Sequence, residues 1–166
     1  MILDPPVLIR PAAEADWPQI WPFLWLIVAA GETYTVDRDI DEETARAWWM
    51  RPDARVFVAV AQGRVVGSAK LTRNFDGPAS SVANASFLVD PGFAGRGVGR
   101  ALGEHVLVAA KEAGFRAMQF NAVVETNVTA VTLWLGLGFQ ILATIPDAFD
   151  HPKHGPVGLH VMYRKL

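Results

Sequence analysis

Three glycines at alternate positions, Gly95, Gly97 and Gly99, have the spacing in this sequence that most clearly indicates chemistry. They follow an apolar segment and precede an apolar pattern of helical period. A glycine-rich turn between a strand and a helix leaves backbone N–H groups unpaired at the positive end of the helix dipole. Such a turn binds anions, most naturally phosphate. The sequence therefore predicts a phosphate site here.

Two arginines accompany the glycines. Arg96 lies within the turn and Arg100 lies just after it. One interpretation is that both make charge-assisted hydrogen bonds to bound phosphates. The other is that both are solvated side chains at the start of a helix. A cation at a helix N-terminus is unfavourable unless an anion offsets it, which favours the first interpretation.

The neighbouring residues distinguish three classes of phosphate-binding loop. A dinucleotide fold requires G-x-G-x-x-G after its first strand, but Arg100 stands in place of the last glycine and the loop follows about the fourth strand. A nucleoside triphosphate loop requires a lysine and a hydroxyl residue, where this chain has Arg100 and Ala101. The third class has neither the last glycine nor the lysine–hydroxyl pair, and the glycines of this chain fit it.

Composition limits the remaining possibilities. The chain of 166 residues is 51% hydrophobic and 19% charged, which predicts one globular domain over residues 1–166. A net charge of −2 does not favour a nucleic-acid partner. The chain has no cysteine, which excludes disulfides, thiolate nucleophiles and zinc–thiolate sites and fits a reducing compartment.

Targeting signals are not evident in the sequence. The most apolar segment, residues 23–30, is too short to span a bilayer. The N-terminus lacks the basic region and cleavage site of a signal peptide. We therefore expect a cytoplasmic protein that binds neither membrane nor nucleic acid.

Strands and helices alternate in the second half of the chain, which predicts an α/β domain with a parallel pair of strands around the glycine turn. Expected strands span residues 7–10, 55–61, 64–72, 81–89, 116–124, 139–145 and 157–164, with a hairpin turn at Gln62-Gly63. Expected helices follow caps at Asp16, at Asp41, at the glycine turn and at Thr126 or Asn127. A proline-containing loop is expected between residues 146 and 156.

The first helix is apolar around much of its circumference. Trp17, Trp21 and Trp25 recur every four residues beside a second apolar stripe. A helix that is apolar on all sides is usually buried. The alternative is that one stripe packs against a second subunit, giving a homodimer, or lines a pocket.

At the glycine turn the chain resembles the GNAT superfamily of N-acetyltransferases. The pyrophosphate loop of that family reads [RQ]-x-x-G-x-G, and residues 94–99 match it except at Ala94. Family members continue with an asparagine, an alanine, a leucine–aromatic pair and a Gly-Phe pair. The corresponding residues here are Asn127, Ala130, Leu133-Trp134 and Gly138-Phe139.

The resemblance implies an α/β fold with a mixed, split central sheet of about six to seven strands, flanked by about four helices. It also implies acetyl-CoA as co-substrate, with no metal. The coenzyme would contact residues on the strand, the turn and the next helix. These are Val89, Gly95, Arg96, Gly97, Val98, Gly99, Arg100 and Asn127. Val89 would offer backbone hydrogen bonds to the pantetheine arm, and Asn127 would bind the arm, cap its helix, or do both.

The resemblance also bears on the mechanism. Because the chain has no cysteine, direct attack of an amine on the thioester is the simplest mechanism, with the N–H group near Val89 polarising the carbonyl. Trp134 stands where many members have a tyrosine that protonates the departing thiolate, and indole has no useful acidic proton. We expect Trp134 to be a packing residue. This leaves the general acid open and keeps a non-catalytic acyl-CoA-binding module as the alternative function.

A closer resemblance concerns the acceptor, a small-molecule amine. The chain looks like the branch that contains yeast proline-analogue acetyltransferases, which act on azetidine-2-carboxylate. The residues on which this rests are Gly31-Glu32-Thr33-Tyr34, Asn84, Asn121, Asn127 and His160-Val161-Met162-Tyr163. Asn84 and Asn121 either form a polar pair for a substrate carboxylate or oxyanion, or hydrogen-bond nearby backbone.

Two further groups have alternative interpretations. Glu32 and Tyr34 follow the tryptophan helix, where the family places acceptor-binding residues. Glu32 is a candidate for acceptor binding or water-mediated proton removal, or else a solvated carboxylate. His151 and His154 could indicate a metal, but with only Asp150 nearby we expect a solvated loop.

Overall fold

The computed structural model describes residues 6–166; the first five residues of the expected domain, and of the segment examined for a signal peptide, lie outside them. Seven strands and four α-helices form within residues 6–166. The strands are β1 (Leu8–Pro11), β2 (Arg55–Ala61), β3 (Arg64–Arg73), β4 (Val82–Val89), β5 (Ala117–Val124), β6 (Gln140–His151) and β7 (Gly155–Lys165). The helices are α1 (Trp17–Ala30), α2 (Glu42–Trp49), α3 (Val98–Glu112) and α4 (Val128–Gly136).

The strands form one sheet in the order β1-β2-β3-β4-β5-β7-β6. Among the seven strands described here, β4 and β5 are the one parallel pair, and their pairing is at Val82 with Ala117 and at Ala83 with Met118. Beyond these residues the two strands no longer pair, so the sheet is split where β4 leads into the glycine turn. The expected mixed, split α/β sheet is confirmed.

The sheet separates two apolar layers. Residues of α1 and α2, including the fully buried Ile20 and Trp49, pack on one face together with Leu88 of β4. Residues of α3 and α4, including Leu102 and Trp134, pack on the other face. None of the helices within residues 6–166 combines the length and apolar character that a membrane-spanning helix requires.

The first helix corrects one expectation. Trp17 is buried, but Trp25 and Leu26 are 49% and 51% exposed. The expected burial on all sides is therefore wrong, because α1 lies on the sheet through one face only. Ile27, next to this exposed stripe, contributes to a cleft described below.

Helix caps were only partly predicted. Asp41 caps α2 by accepting a hydrogen bond from the Thr44 N–H group at 2.8 Å. Asp16 precedes α1 as expected, but its side chain does not cap that helix. It instead accepts two hydrogen bonds of 2.8 Å from Arg10 and one of 2.7 Å from the Ala13 N–H group.

The last hairpin also differs from the sequence prediction. The Gln62-Gly63 turn forms as expected, with both residues at positive φ. The expected loop over residues 146–156 is wrong, because β6 and β7 continue through most of it. Pro146 is tolerated because β6 is an edge strand and its register shifts between Ile145 and Phe149.

Candidate active site

The glycine turn has the geometry of an anion site. Gly95 and Gly97 have φ angles of +74° and +80°, a conformation that side-chain-bearing residues rarely adopt. Gly97 is the N-cap of α3, and its carbonyl accepts from the Ala101 N–H group at 3.0 Å. The N–H groups of the first helical turn, from Val98 to Arg100, therefore point out of the helix end.

The neighbouring strand β4 has an open edge. The Asp90 N–H group donates to the Val66 carbonyl of β3 at 2.9 Å, and Val82 accepts from the Asn74 N–H group at 2.8 Å. Because backbone N–H and C=O groups alternate in direction along a strand, those of the even-numbered residues of β4 point towards β3. The peptide groups of Phe87 and Val89 consequently face the gap left by β5. This geometry is what a surrogate strand such as pantetheine needs.

A cleft of about 800 Å³ connects these features. Its coenzyme end runs from the glycine turn to the N-terminus of α4, at Asn127. Its acceptor end, on the other side of Val89, is bounded by the loop after α1, by α2 and by β4 and β5. The side chains of this end are those of Ile27, Thr33, Tyr34, Thr35, Val36, Trp48, Asn84, Ser86 and Asn121. Ile27, Trp48 and Ser86 were not selected from sequence, where only their apolar or small character was visible.

The two arginines have different surroundings. The Arg100 Nε atom lies 2.9 Å from the Glu104 carboxylate, and the residue lines the cleft. The Arg96 guanidinium lies 5.0 Å from the centre of the Phe93 ring. Both side chains are exposed at the helix start. Their contact with a phosphate remains a prediction.

Asn127 and Trp134 border the cleft from α4. Asn127 caps the helix by accepting from the Ala130 N–H group at 3.3 Å. Trp134 is buried, with ring centres 4.6 Å from Phe87 and 4.8 Å from Phe120. Its expected packing role is confirmed, and it forms an aromatic wall beside β4.

Tyr34 contacts β4 directly. Its hydroxyl donates a hydrogen bond to the Phe87 carbonyl, which is on the open edge of the strand. Burial raises the pKa of the Tyr34 hydroxyl well above its usual value. The sequence indicated the loop position of this residue but not this partner, which lies 53 residues away. The contact anchors the loop after α1 to the split in the sheet.

Asn84 and Asn121 both line the acceptor end but do not pair with each other. Asn121 instead pairs reciprocally with Asn74, at 2.8 and 3.1 Å, and its Oδ1 also accepts from Gln119 Nε2 at 3.0 Å. The oxygen of Asn121 therefore accepts twice, and Nδ2 retains one free hydrogen. Asn121 consequently presents a donor. Asn74 and Gln119 were missed because nothing in their spacing relates them to Asn121.

Glu32 lies outside the walls of the cleft. Its carboxylate pairs with Lys153 Nζ at 2.9 Å, at the tip of the β6–β7 hairpin, and this contact lowers the pKa of Glu32. Its role towards the acceptor stays a prediction.

His151, expected in a solvated loop, is 7% exposed, and its Nδ1 accepts from the N–H groups of Lys153 and His154. In the described part of the chain no three His, Asp or Glu side chains are grouped to hold a metal.

The split sheet, the open strand edge and the outward-pointing amides together define a coenzyme-binding fold of the acyl-transfer type. A model of the acetyltransferase (GNAT) family matches residues 17–139. This match spans well over half of the chain, and the chain therefore belongs to the GNAT family.

Individual relatives agree with this assignment. The structure of a GCN5-related N-acetyltransferase from Kribbella flavida is 52% identical, with a TM-score of 0.94 over 96% of this chain and 98% of that one. The structure of yncA from Salmonella typhimurium with its cofactor acetyl-CoA is 25% identical, with a TM-score of 0.85 over 96% and 94%. N-acetyltransferase aca1 of Schizosaccharomyces pombe is 31% identical over 109 residues, which are 66% of this chain and 50% of that protein. This chain thus spans about half the length of that curated relative.

Proposed function

We propose that this protein transfers an acetyl group from acetyl-CoA directly to the amine of a small molecule. The observation that supports this most is the open edge of β4 at Phe87 and Val89, immediately beside the unpaired amides of α3. A strand-like pantetheine arm needs the open strand edge, and the pyrophosphate attached to it needs unpaired N–H groups close by. Acetyl-CoA is the cofactor of the yncA structure.

The coenzyme would be held mainly by backbone. The N–H groups between Gly95 and Arg100 would bind the pyrophosphate, with Arg96 and Arg100 adding charge. Val89 would bind the pantetheine arm and direct its N–H group at the thioester carbonyl. Asn127, already a helix cap, keeps its Nδ2 available for the arm.

The chemistry follows from direct attack. The neutral amine nitrogen attacks the acetyl carbonyl carbon, and the oxyanion that forms accepts a hydrogen bond from the Val89 N–H group. The carbon–sulfur bond then breaks, and the thiolate takes up the proton that the nitrogen loses, through water. None of the described residues that line the cleft is a carboxylate or a histidine. Solvent is therefore the proposed route for the proton.

The acceptor proposed is an amino acid, including cyclic secondary amines such as azetidine-2-carboxylate. Asn84 and Asn121 would hold its polar group, and Tyr34 would shape the end of the cleft. Glu32 would act indirectly, by holding the mouth of the cleft through Lys153. We further propose that residues 1–166 act as one cytoplasmic domain, alone or as a homodimer.

Coenzyme binding is tested by thermal denaturation. Acetyl-CoA should raise the melting temperature of the protein, and NADH and ATP should not. Gly97→Glu should abolish the shift, because it places a negative charge and a side chain in the anion site. Gly63→Glu is the matched control: Gly63 also has positive φ, at +74°, but lies in a hairpin turn and faces open space. Retained binding in Gly97→Glu would contradict the proposal.

Catalysis is tested by thiol release from acetyl-CoA across an amine panel. The panel contains azetidine-2-carboxylate, proline analogues, phosphinothricin-like amino acids and polyamines. Asn84→Ala and Asn121→Ala should each impair acceptor turnover more than coenzyme affinity. Unchanged turnover would leave both asparagines with structural roles only.

A second candidate function is a non-catalytic acyl-CoA-binding module. The tryptophan at position 134, where an acidic tyrosine is common, favours it. Such a module would show the acetyl-CoA-dependent rise in melting temperature without thiol release for any amine.

A further inference from the structure

Building on the proposed acetyl transfer, we infer that Lys70 is a specificity-determining residue, a buried cation that selects acceptors bearing a carboxylate and rejects polyamines. It acts from behind the wall of the acceptor end and does not touch the acceptor. The sequence offered no sign of this, because Lys70 stands in a strand otherwise rich in valine.

Lys70 is an unusual lysine. It is only 6% exposed, and its Nζ donates to the Trp48 carbonyl at 2.9 Å. The ammonium lies 4.4 Å from the centre of the Trp48 ring and 5.2 Å from that of Trp49. It has no ion-pair partner among residues 6–166; the carboxylate that raises its pKa, Asp53, is itself held by Arg51.

The position of Lys70 couples it to the acceptor end. Trp48, which lies against the ammonium, lines the cleft. On the sheet Lys70 is directly opposite Ser86 of β4, which also lines the cleft. Directly opposed residues share a face, with Cβ atoms about 5 Å apart. The buried charge is therefore within about 10 Å of an acceptor beside Ser86, and the burial of Lys70 limits the screening of its charge by water.

The rest of this end complements a negative group. Among the described residues that line the cleft, no carboxylate is present to receive a second ammonium. Asn121 offers a hydrogen-bond donor, because both acceptor sites of its oxygen are used by Asn74 and Gln119. A bound carboxylate would be stabilised by both the Asn121 donor and the buried charge of Lys70, whereas a polyamine would be repelled by that same charge.

Several charged groups set the protonation of Lys70. The pKa of Lys70 is lowered to about 8, first by burial and then by the charge of Arg51, while Asp53 opposes this by raising it. The contacts from α2 are the Trp48 carbonyl and two indole rings, and β2 and β4 place Val56 and Ser86 beside it. Lys70 is thus largely charged at neutral pH and loses its charge as the pH rises through about 8.

A purely structural role is the competing explanation. A cation near the C-terminus of α2 is favourable by itself, because it caps a free carbonyl. A structural residue would affect all acceptors alike, so the discriminating measurement is a ratio. The ratio compares kcat/KM for azetidine-2-carboxylate with kcat/KM for azetidine, the same ring amine without the carboxylate.

The experiment measures this ratio by thiol release for the wild type, Lys70→Met and Lys70→Arg. We expect the wild type to prefer the carboxylate, and Lys70→Met to lower the ratio about tenfold, the size expected for charges roughly 10 Å apart at an effective dielectric constant of about 20. Lys70→Arg should retain the preference. In the wild type the ratio should also fall as the pH rises through about 8, and in Lys70→Arg it should not.

The outcomes separate this inference from the proposed function. Whether Lys70→Met folds is judged by whether acetyl-CoA still raises its melting temperature. If it does not fold, the pH series on the wild type and Lys70→Arg still tests the role of Lys70. An unaltered ratio in Lys70→Met, a pH-independent ratio in the wild type, or a wild-type preference for azetidine or spermidine would overturn the role of Lys70 while leaving acetyl transfer intact. If none of the amines tested supported thiol release, both the role of Lys70 and the proposed acetyl transfer would be overturned.

Discussion

The hydrogen bond from Tyr34 to the Phe87 carbonyl connects the loop after α1 to β4, the strand proposed to hold the thioester. Tyr34→Phe removes this bond and changes almost nothing else, because the ring remains to pack edge-on against Trp48, with ring centres 5.5 Å apart. The change leaves the carbonyl without its donor. It also releases the loop after α1 from the open edge of β4.

The expected size of the effect follows from the burial of the bond. Leaving this partly buried carbonyl unsatisfied costs about 1–2 kcal/mol of unfolding free energy. In a chain of this length, that corresponds to a fall in melting temperature of about 2–8 °C. If the same energy appears in acceptor binding, KM for the acceptor rises about 5- to 30-fold. The dissociation constant of acetyl-CoA should change less than twofold, because the proposed coenzyme contacts are made by Val89 and the glycine turn, whereas the Tyr34 hydroxyl contacts the Phe87 carbonyl.

The assays are thermal denaturation, thiol-release kinetics and acetyl-CoA titration. Tyr163→Phe is the matched control, since it removes the hydroxyl of the only other tyrosine, which lies on β7. Absorbance titration adds a direct test, because the raised pKa of Tyr34 predicts one phenol that ionises only as the chain unfolds. Equal effects of the two substitutions, or a loss of acetyl-CoA affinity in Tyr34→Phe, would refute the reasoning.

Three further predictions concern pH and packing. With azetidine, which has no carboxylate, the rate of thiol release should rise with pH along the titration of the acceptor's own amine, and a plateau near pH 6 would reveal an enzymatic base. Asp16→Asn should lower the melting temperature at pH 7, because Arg10 holds the pKa of Asp16 below its usual value and the charged carboxylate therefore stabilises the fold. The difference in melting temperature from the wild type should vanish as the pH falls through that lowered pKa. A difference that persists in strong acid would contradict this reasoning. Gly103→Ala should cost about 1–3 kcal/mol of unfolding free energy in denaturant titration, because its Cβ would lie 2.8 Å from Leu137 Cδ1. Gly136→Ala, where the new Cβ would lie 3.7 Å from Arg100 Nη1, is its control and should be neutral or stabilising.

Much of the fold was predictable because the signals are local. The order strand, glycine turn and helix around Gly97 depends on residues adjacent in sequence, as does the Gln62-Gly63 turn. The β6–β7 hairpin was missed for the opposite reason. Its prolines look like loop residues until the sheet places β6 at an edge, where the missing N–H group of Pro146 is not needed.

The sequence by itself therefore determined the anion-site geometry of the glycine turn, because the direction of its N–H groups depends on backbone conformation, and glycine spacing encodes that conformation. The tertiary structure alone decided the acceptor end. Asn121 meets Asn74 across 47 residues, Tyr34 meets Phe87 across 53, and Lys70 meets Trp48 across 22. Such contacts depend on strand register and on how α2 packs against the sheet, neither of which any short stretch of sequence specifies.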